Sequence, residues 1–404
     1  MQIYIPRKMT KSYINRQIEE TIKKAALQFP SLIVTGPRQS GKTTLLTHLF
    51  QRSHRYITLD DPDIRLLANR EPKLFMVNYP PPVIIDEIQY APDLFPYLKM
   101  VIDKDRSKKG LFLLTGSQSF PLMAGLSESL AGRIAVFTLL SFSCIEQLKT
   151  EKTYNINLLK EFILRGGYPE LIVDRDMDTS LWYSSYFQTY LERDIRSLRQ
   201  IGDLLDFQRF LELLAAVNGK ILNLSELSRD LGVAVNTIKA WVSILEASHQ
   251  IVLIKPYYKN KGKRIVKSPK VYFLDTGFLC YLNGITQIEQ ILKGTSGGPL
   301  FETLVLGQIL RSYYNRGEIP RVYWWRTSNG NEVDFIMERE GKIIPIEVKM
   351  TSNVRKSLIK GLSLFVDLFS DEVEKAYLVT LSGESFLFDK NIETVPFYEF
   401  IKTL

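Results

Sequence analysis

Residues 31–50, SLIVTGPRQSGKTTLLTHLF, constrain the fold more than any other stretch of the chain. The apolar, β-branched run LIVT predicts a buried strand, and KTTLLTHLF predicts a helix, with a glycine-bearing loop between them. The spacing is Gly-x-x-x-x-Gly-Lys-Thr, from Gly36 to Thr43. Glycines at 36 and 41 let backbone wrap around a bulky anion where a Cβ would clash. The loop amides and the positive end of the helix then face that anion. The expected ligand is ATP with Mg²⁺. It would be held by the loop Gly36, Pro37, Arg38, Gln39, Ser40 and Gly41 and by Lys42, Thr43 and Thr44 on the helix. Lys42 is expected to reach the β- and γ-phosphates, and the Thr43 hydroxyl to bind the metal.

The same rhythm recurs downstream in RYITLDD, PPVIIDE, GLFLLTGS and IAVFTL. Short apolar runs alternating with helical stretches predict a parallel, doubly wound α/β sheet. Asp86 ends one such run, where a magnesium shell needs a carboxylate, and Glu87 follows it, suited to polarising an attacking water. Thr115, Ser117 and Gln118 end another run and are candidates to contact the γ-phosphate, with Ser117 in the nucleotide-binding set. Arg133 is a candidate for stabilising transition-state charge, in its own site or a neighbour's, and a surface ion pair is the alternative.

A helix is expected from about Lys11 to Gln28, and helical segments from about Tyr154 to Ile201, interrupted by RGGYPE. NLSELSRDLGVAVNTIKAWVSILEA reads as a helix-turn-helix, capped at Asn223 or Ser225 and broken at Gly232. Leu231, Val235, Ile238, Val242 and Leu245 recur at helical spacing and are expected in the core. The stretch from Lys255 to Lys270 holds seven basic residues and no acids, the pattern of a winged-helix wing able to lie along a phosphate backbone. Only Asn236 and Lys239 offer outward groups on the second helix, so base reading is poorly supported, and packing against a protein surface is the alternative. After the break at 293–299 the pattern runs helix, strand, strand, helix, strand, helix. Three units follow: 1–205, 206–294 and 295–404.

In NEVDFIMEREGKIIPIEVK, a turn centred on Glu340-Gly341 makes cross-strand partners sum to 681. Asp334 then faces Glu347, Glu332 faces Lys349, and all four share one side of the sheet. Two carboxylates about 5 Å apart repel by about 3 kcal/mol at an effective dielectric near 20, which a divalent cation would relieve. Asp, Glu and Lys in that pattern suit metal-assisted phosphodiester cleavage, Asp334 and Glu347 holding Mg²⁺ or Mn²⁺ and Lys349 orienting water. Glu302 in PLFETLVLGQIL would add a further ligand. An ion-paired hairpin without metal, with Lys349 bridging Glu332 and Glu347, is the alternative.

Charge and composition bound the rest. With 52 basic and 44 acidic residues the net charge is +8, which permits a polyanionic partner without requiring one. Two cysteines, Cys144 and Cys280, exclude a disulfide framework or a cysteine zinc site. No secretory signal or membrane-length apolar run is present, so a reducing cytoplasm is expected.

In their order, GPRQSGKT, VIIDEIQ, TGSQSF, SLAGR, RGGYPE, YLERDI, KVYFLDTG, FETLVLGQI and WWRTSNGNEVDFIM…IPIEVK resemble a bacterial and archaeal family of AAA-type ATPases. The C-terminal half of that family is a domain of unknown function similar in pattern to the PD-(D/E)XK restriction-endonuclease-like fold. The resemblance covers nearly the whole chain and implies an AAA-type P-loop sheet, then a winged-helix domain, then a nuclease-like α/β domain. It carries the nuclease signature onto Asp334, Glu347 and Lys349, with Glu302 on the first helix. Val333 stands where the signature has proline, a position without a catalytic group. Assembly into a homo-oligomer, DNA binding through the two later units, and no membrane contact are further implications. The rival is an ATP-driven switch whose last unit recognises DNA or a protein without cleaving.

Overall fold

The computed structural model describes residues 13–116, 129–148, 155–196, 204–258, 268–381, 383–389 and 391–404. All five apolar runs form strands of one parallel sheet: β1 (Ser31–Thr35), β2 (Arg55–Thr58), β3 (Val83–Asp86), β4 (Phe112–Thr115) and β5 (Ile134–Thr138). Their spatial order is β2-β3-β4-β1-β5. Strands β1, β3 and β4 are buried throughout, as a parallel sheet covered on both faces requires. Alternation sends Leu32, Val34, Ile84 and Leu113 toward the helices Glu19–Gln28 and Lys42–Phe50. It sends Ile33, Ile85 and Leu114 toward the helices Pro62–Arg70 and Phe95–Lys104 on the other face.

The first helix begins at Glu19 rather than near Lys11; residues up to 12 lie outside the described set, and 13–16 are not helical. The Glu19 carboxylate accepts the Arg16 backbone N–H at 2.6 Å, fixing the turn that starts the helix. RGGYPE interrupts the next helices as expected, separating Ile156–Arg165, Pro169–Val173 and Thr179–Arg196.

The helix-turn-helix is present as Leu224–Leu231 and Val235–Ala247. The Asn223 side chain caps the first helix, accepting from Glu226 N at 3.2 Å, and Gly232 ends it at φ 71°. Ile238, Val242 and Leu245 are buried, with Trp241 packed between Phe207 and Phe210. Val235 is instead 42% exposed, because it opens its helix at the solvent-facing turn around Gly232 and Ala234.

The strands flanking the basic stretch, β6 (Ile251–Pro256) and β7 (Lys270–Phe273), are not a free-standing wing. Through the parallel pairs Lys255↔Tyr323 and Pro256↔Trp324, β6 joins β8 (Val322–Arg326), so one eight-stranded sheet runs through both later parts of the chain. It continues through β9 (Glu332–Arg339), β10 (Lys342–Lys349) and β11 (Ala376–Thr380) to the edge pair β13 (Ile392–Pro396) and β12 (Phe386–Asp389). Strand β8 and both strands of the edge pair are additions to the pattern read from the sequence. Residues 259–267, which hold most of the basic charge, lie outside the described set. Cys144 and Cys280 are buried free thiols, and among the described residues no helix is long and apolar enough to cross a membrane.

A buried polar knot joins the two sheets. Asp275 caps the helix Thr276–Leu282, accepting from Phe278 N at 3.0 Å, and also accepts from Tyr183 Oη at 2.7 Å, Gly167 N at 2.9 Å and Ser141 Oγ at 3.2 Å. Arg311, on the helix Gly297–Asn315, donates to Ser141 O at 2.9 Å and to Ser141 Oγ at 2.7 Å. Asp275→Ala orphans these donors and removes a counter-charge to buried Arg311, so it should cost about 3–5 kcal/mol in urea unfolding. A loss below about 1 kcal/mol would show that the knot is not what joins the sheets.

Candidate functional site: the phosphate loop and a C-terminal acid cluster

The loop leaves the carboxyl end of β1, between β4 and β5 in the first sheet, and enters the helix Lys42–Phe50 through Gly41, at φ 90°. Gly36 has φ 139°, and a Cβ there would lie 2.2 Å from the Leu139 carbonyl oxygen, so no other residue fits. Gln39 is also left-handed, at φ 58°. The Lys42 ammonium curls across the loop, donating to Pro37 O at 2.8 Å and Gly36 O at 3.2 Å. Ser40 is fully buried, and its Oγ has no protein partner.

Parallel pairing brings the next elements to the same edge. The Thr43 hydroxyl donates to Asp86 Oδ1 at 2.6 Å. Asp86 also accepts from Tyr56 Oη at 3.0 Å, Thr58 Oγ1 at 3.3 Å and Thr115 Oγ1. Burial first, and then the Asp86 charge, hold the Tyr56 phenol well above its ordinary range. Glu87 adopts a left-handed φ of 58°, its N–H held by Thr115 Oγ1 at 3.1 Å and its carboxylate accepting from Gln89 Nε2. A cavity of about 500 Å³ opens among Arg38, Lys42, Thr43, Thr44, Glu87 and Tyr186. The hydroxyl and carboxylate of Thr43 and Asp86, the unpartnered Ser40 oxygen and the glycine cradle together fit a magnesium-bound phosphate chain.

A second cavity, about 680 Å³, adjoins the first at Gly41 and Thr44. Tyr13 stacks on His48 with ring centroids 3.6 Å apart at its wall, beside Phe142 and Pro169. Flat apolar walls next to a phosphate loop suit a nucleobase. No local pattern singles out these residues, since they come from four separated parts of the chain. Arg16 was missed for the same reason. Buried over the Phe142 ring, it donates to Ser40 O of the loop at 3.0 Å, to Leu140 O at 2.7 Å and to Glu146 at 3.1 Å.

Arg133 is not part of this site. It precedes β5 at the amino-terminal edge of the sheet, where Ser31 pairs with Ile134, whereas the phosphate loop follows Thr35 at the other edge. Both its Nε and Nη2 are engaged by Asp103, at 2.9 and 3.0 Å, and this holds the Asp103 carboxyl down at about 2. Ser117 and Gln118 lie outside the described residues.

At the C-terminal end, the β9–β10 hairpin turns at Glu340 (φ 52°) and Gly341 (φ 80°), and its partners sum to 681, from Lys342↔Arg339 to Ile346↔Phe335. Asp334 and Glu347 therefore come together, each 7% exposed, and Lys349 Nζ touches both, at 3.6 and 2.5 Å. Glu332 departs from the expected arrangement. Strand β8 pairs Tyr323 with Ile336 but Trp325 with Val333, so Asp334 and Phe335 together face the single residue Trp324. The bulge lies on the β8 side of β9, while the β9–β10 register is regular from Lys342 to Ile346. Glu332 is taken instead by Lys270 and, at 3.8 Å, by Arg326, so Lys349 bridges Asp334 and Glu347 rather than Glu332 and Glu347.

Glu302 stands at the edge of the cluster, accepting from Tyr272 Oη and lying 4.0 Å from Lys270. Burial, and after it the Asp334 charge, push the carboxyls of Glu302 and Glu347 up to about 8. Burial works against the Lys349 ammonium, but Asp334 and Glu347 outweigh it and raise its pKa. Glu347 Oε2 is buried without a partner. The donor set suits a hard divalent cation, yet among the described residues no three His, Cys, Asp or Glu side chains converge on one ion position.

The raised carboxyls set a pH dependence. A carboxyl that ionises near 8 in the fold and near 4.5 when unfolded costs stability as pH rises through that interval. In metal-free buffer Glu302→Gln should therefore match the parent near pH 5 and unfold at a higher temperature near pH 9. A pH-independent difference would show that Glu302 keeps its ordinary acidity.

Residues 28–148 match the AAA domain model. Residues 156–289 match a domain of unknown function (DUF8612), and residues 297–400 match another (DUF4143). The uncharacterized protein Rv2008c of Mycobacterium tuberculosis is 31% identical over 339 residues, 83% of this chain and 74% of its own length. The uncharacterized protein Mb2031c of Mycobacterium bovis matches to the same extent. Among solved structures, the Walker-type ATPase paby2304 of Pyrococcus abyssi is 15% identical, with 69% of this chain and 99% of that one covered at a TM-score of 0.48. A single-substitution variant of RuvB from Thermotoga maritima is also 15% identical, with 62% and 93% covered at 0.30. Both structural likenesses are too distant to inform the chemistry. The chain belongs to the same family as the two mycobacterial proteins, with an AAA domain at its N-terminal end and a DUF4143 domain at its C-terminal end.

Proposed function

We propose that the chain is an ATP-hydrolysing switch whose nucleotide site governs a C-terminal unit acting on DNA. The observation that carries the first part is the Thr43–Asp86 contact at the mouth of the glycine cradle, with Glu87 beside it on the same cavity. Loop amides and Lys42 bind the phosphates, and the Tyr13–His48 cavity takes the base. Thr43 and Asp86 would hold a magnesium ion, which would offset charge developing on the phosphates. Glu87, its backbone fixed through Thr115, orients the attacking water and accepts its proton. Glu87→Gln should cut turnover about 100-fold or more while ATP binding persists, and Lys42→Ala should abolish binding. Undiminished hydrolysis in Glu87→Gln would remove that residue from the mechanism.

For the C-terminal unit, the unpartnered Glu347 oxygen beside Asp334 and Lys349 favours divalent-cation binding and phosphodiester cleavage. Glu302 would complete the ligands only by turning toward the pair. Purified protein with Mn²⁺ should nick supercoiled DNA, and Asp334→Ala should stop it without lowering ATP turnover. The second reading, a DNA- or protein-recognising unit without cleavage, is favoured by the ion pairs that already occupy Asp334 and Glu347. Under that reading, calorimetric titration with Mn²⁺ shows no binding dependent on Asp334, and the variant only loses stability.

A further inference from the structure

The segment RGGYPE does more than interrupt helices: its last two residues form part of the walls beside the phosphate loop. Gly167 fixes the segment there, its N–H donating to Asp275 at 2.9 Å and its carbonyl accepting from Phe142 N at 2.8 Å. A Cβ at Gly167 would lie 2.5 Å from the Phe142 carbonyl oxygen, so only glycine permits this approach. Pro169 and Glu170 then open the helix Pro169–Val173, and both line the phosphate cavity as well as the larger cavity beside it.

The residues common to the two cavities are Gly41, Thr44, Pro169 and Glu170. In a nucleoside triphosphate the sugar is what joins base to phosphates. A ligand with its phosphates on the loop and its base against Tyr13 and His48 therefore carries its ribose past these residues. The sugar's vicinal hydroxyls are donors that need acceptors. Among the shared residues only Glu170 ends in a carboxylate. The Trp182 indole N–H donates to Glu170 Oε2 at 3.0 Å, and buried Trp182 stacks on Tyr186 of the phosphate-cavity wall, with ring centroids 5.2 Å apart at 9°. One oxygen is thus anchored, and the other, on an exposed residue at an open cavity, is available to a ligand. A carboxylate bordering a phosphate cavity repels the ligand unless it also accepts hydrogen bonds from it.

We infer that Glu170 recognises the ribose of a bound nucleotide, accepting from its vicinal hydroxyls and so selecting it over a nucleotide whose sugar lacks them. This rests on the nucleotide reading of the loop and of the neighbouring base cavity, and adds the sugar contact to it. Because Gly167 is hydrogen-bonded to Asp275, the contact also ties the sugar to the polar knot that joins the two sheets. Glu170 is a specificity residue, distinct from the water-activating Glu87.

The test is equilibrium binding of ADP and of 2′,3′-dideoxy-ADP, each with Mg²⁺, to the full chain and to Glu170→Ala and Glu170→Gln. Neither nucleotide has a γ-phosphate to lose, so the readout is affinity alone. The parent should bind ADP about tenfold or more tightly than the dideoxy analogue, the worth of a hydrogen bond to a charged group. Glu170→Ala should bring the two affinities within about twofold of each other by weakening ADP, with the dideoxy analogue bound as well as before or better. Glu170→Gln keeps a neutral acceptor at the same place and should give an intermediate ratio. Equal affinities in the parent, or a preference that Glu170→Ala leaves at the parent's value, would overturn the inference and make Glu170 a structural partner of Trp182. A parent chain that binds neither nucleotide overturns the loop reading and this inference with it, whereas a parent that binds ADP confines any failure to the sugar contact.

Discussion

Arg311 is a guanidinium sealed inside the protein, and the junction of the two sheets is built to satisfy it. Removing such a cation from water carries a penalty of several kcal/mol, recovered only if its donors find acceptors in the interior. Here they find Ser141 O and Oγ, Gly307 O and Leu274 O, while Asp275 supplies negative charge nearby. Ser141 follows the last strand of the nucleotide-site sheet, Leu274 follows β7, and Gly307 lies on the helix Gly297–Asn315. Three separated chain segments are thus bound by one charge that none of them can satisfy alone.

That constraint gives the two sites a common frame. Arg16 performs a parallel service nearer the nucleotide, pinning Ser40 of the loop and Leu140 beside Ser141. The helix Gly297–Asn315 carries Arg311 at the junction and Glu302 at the acid cluster, so one continuous element spans both. The turn 248–250 adds another physical link, since Gln250 donates to Tyr186 of the cavity wall and the chain runs from there into β6. Tightly packed, hydrogen-bonded paths of this kind are what a nucleotide-driven change would have to run through.

The acid cluster shows how register and bulge divide the work between them. The Glu340–Gly341 turn, both residues left-handed, sets partners that bring Asp334 opposite Glu347. A bulge places Asp334 and Phe335 together against Trp324; Asp334 pairs with Lys349, and Glu332 with Lys270. Lys349, at the end of the regular hairpin, reaches both buried acids.

What the sequence determined by itself is everything that local chemistry specifies. The five strands and the helix after the loop follow from apolar runs and glycine spacing, the Asn223 cap and the Gly232 stop from side-chain and backbone geometry, and the hairpin register from a two-residue turn. Each is decided within about a dozen neighbouring residues. Only the tertiary structure decided the strand order, the joining of β6 to β8, the bulge at Asp334 and the cavity beside the loop. These depend on partners scores to hundreds of residues away, where a pattern in one segment carries no information about the segment it will meet. Val235 and Glu332 mark the limit: periodicity put the first in the core and pairing gave the second to Lys349, whereas Val235 is exposed and Glu332 meets Lys270.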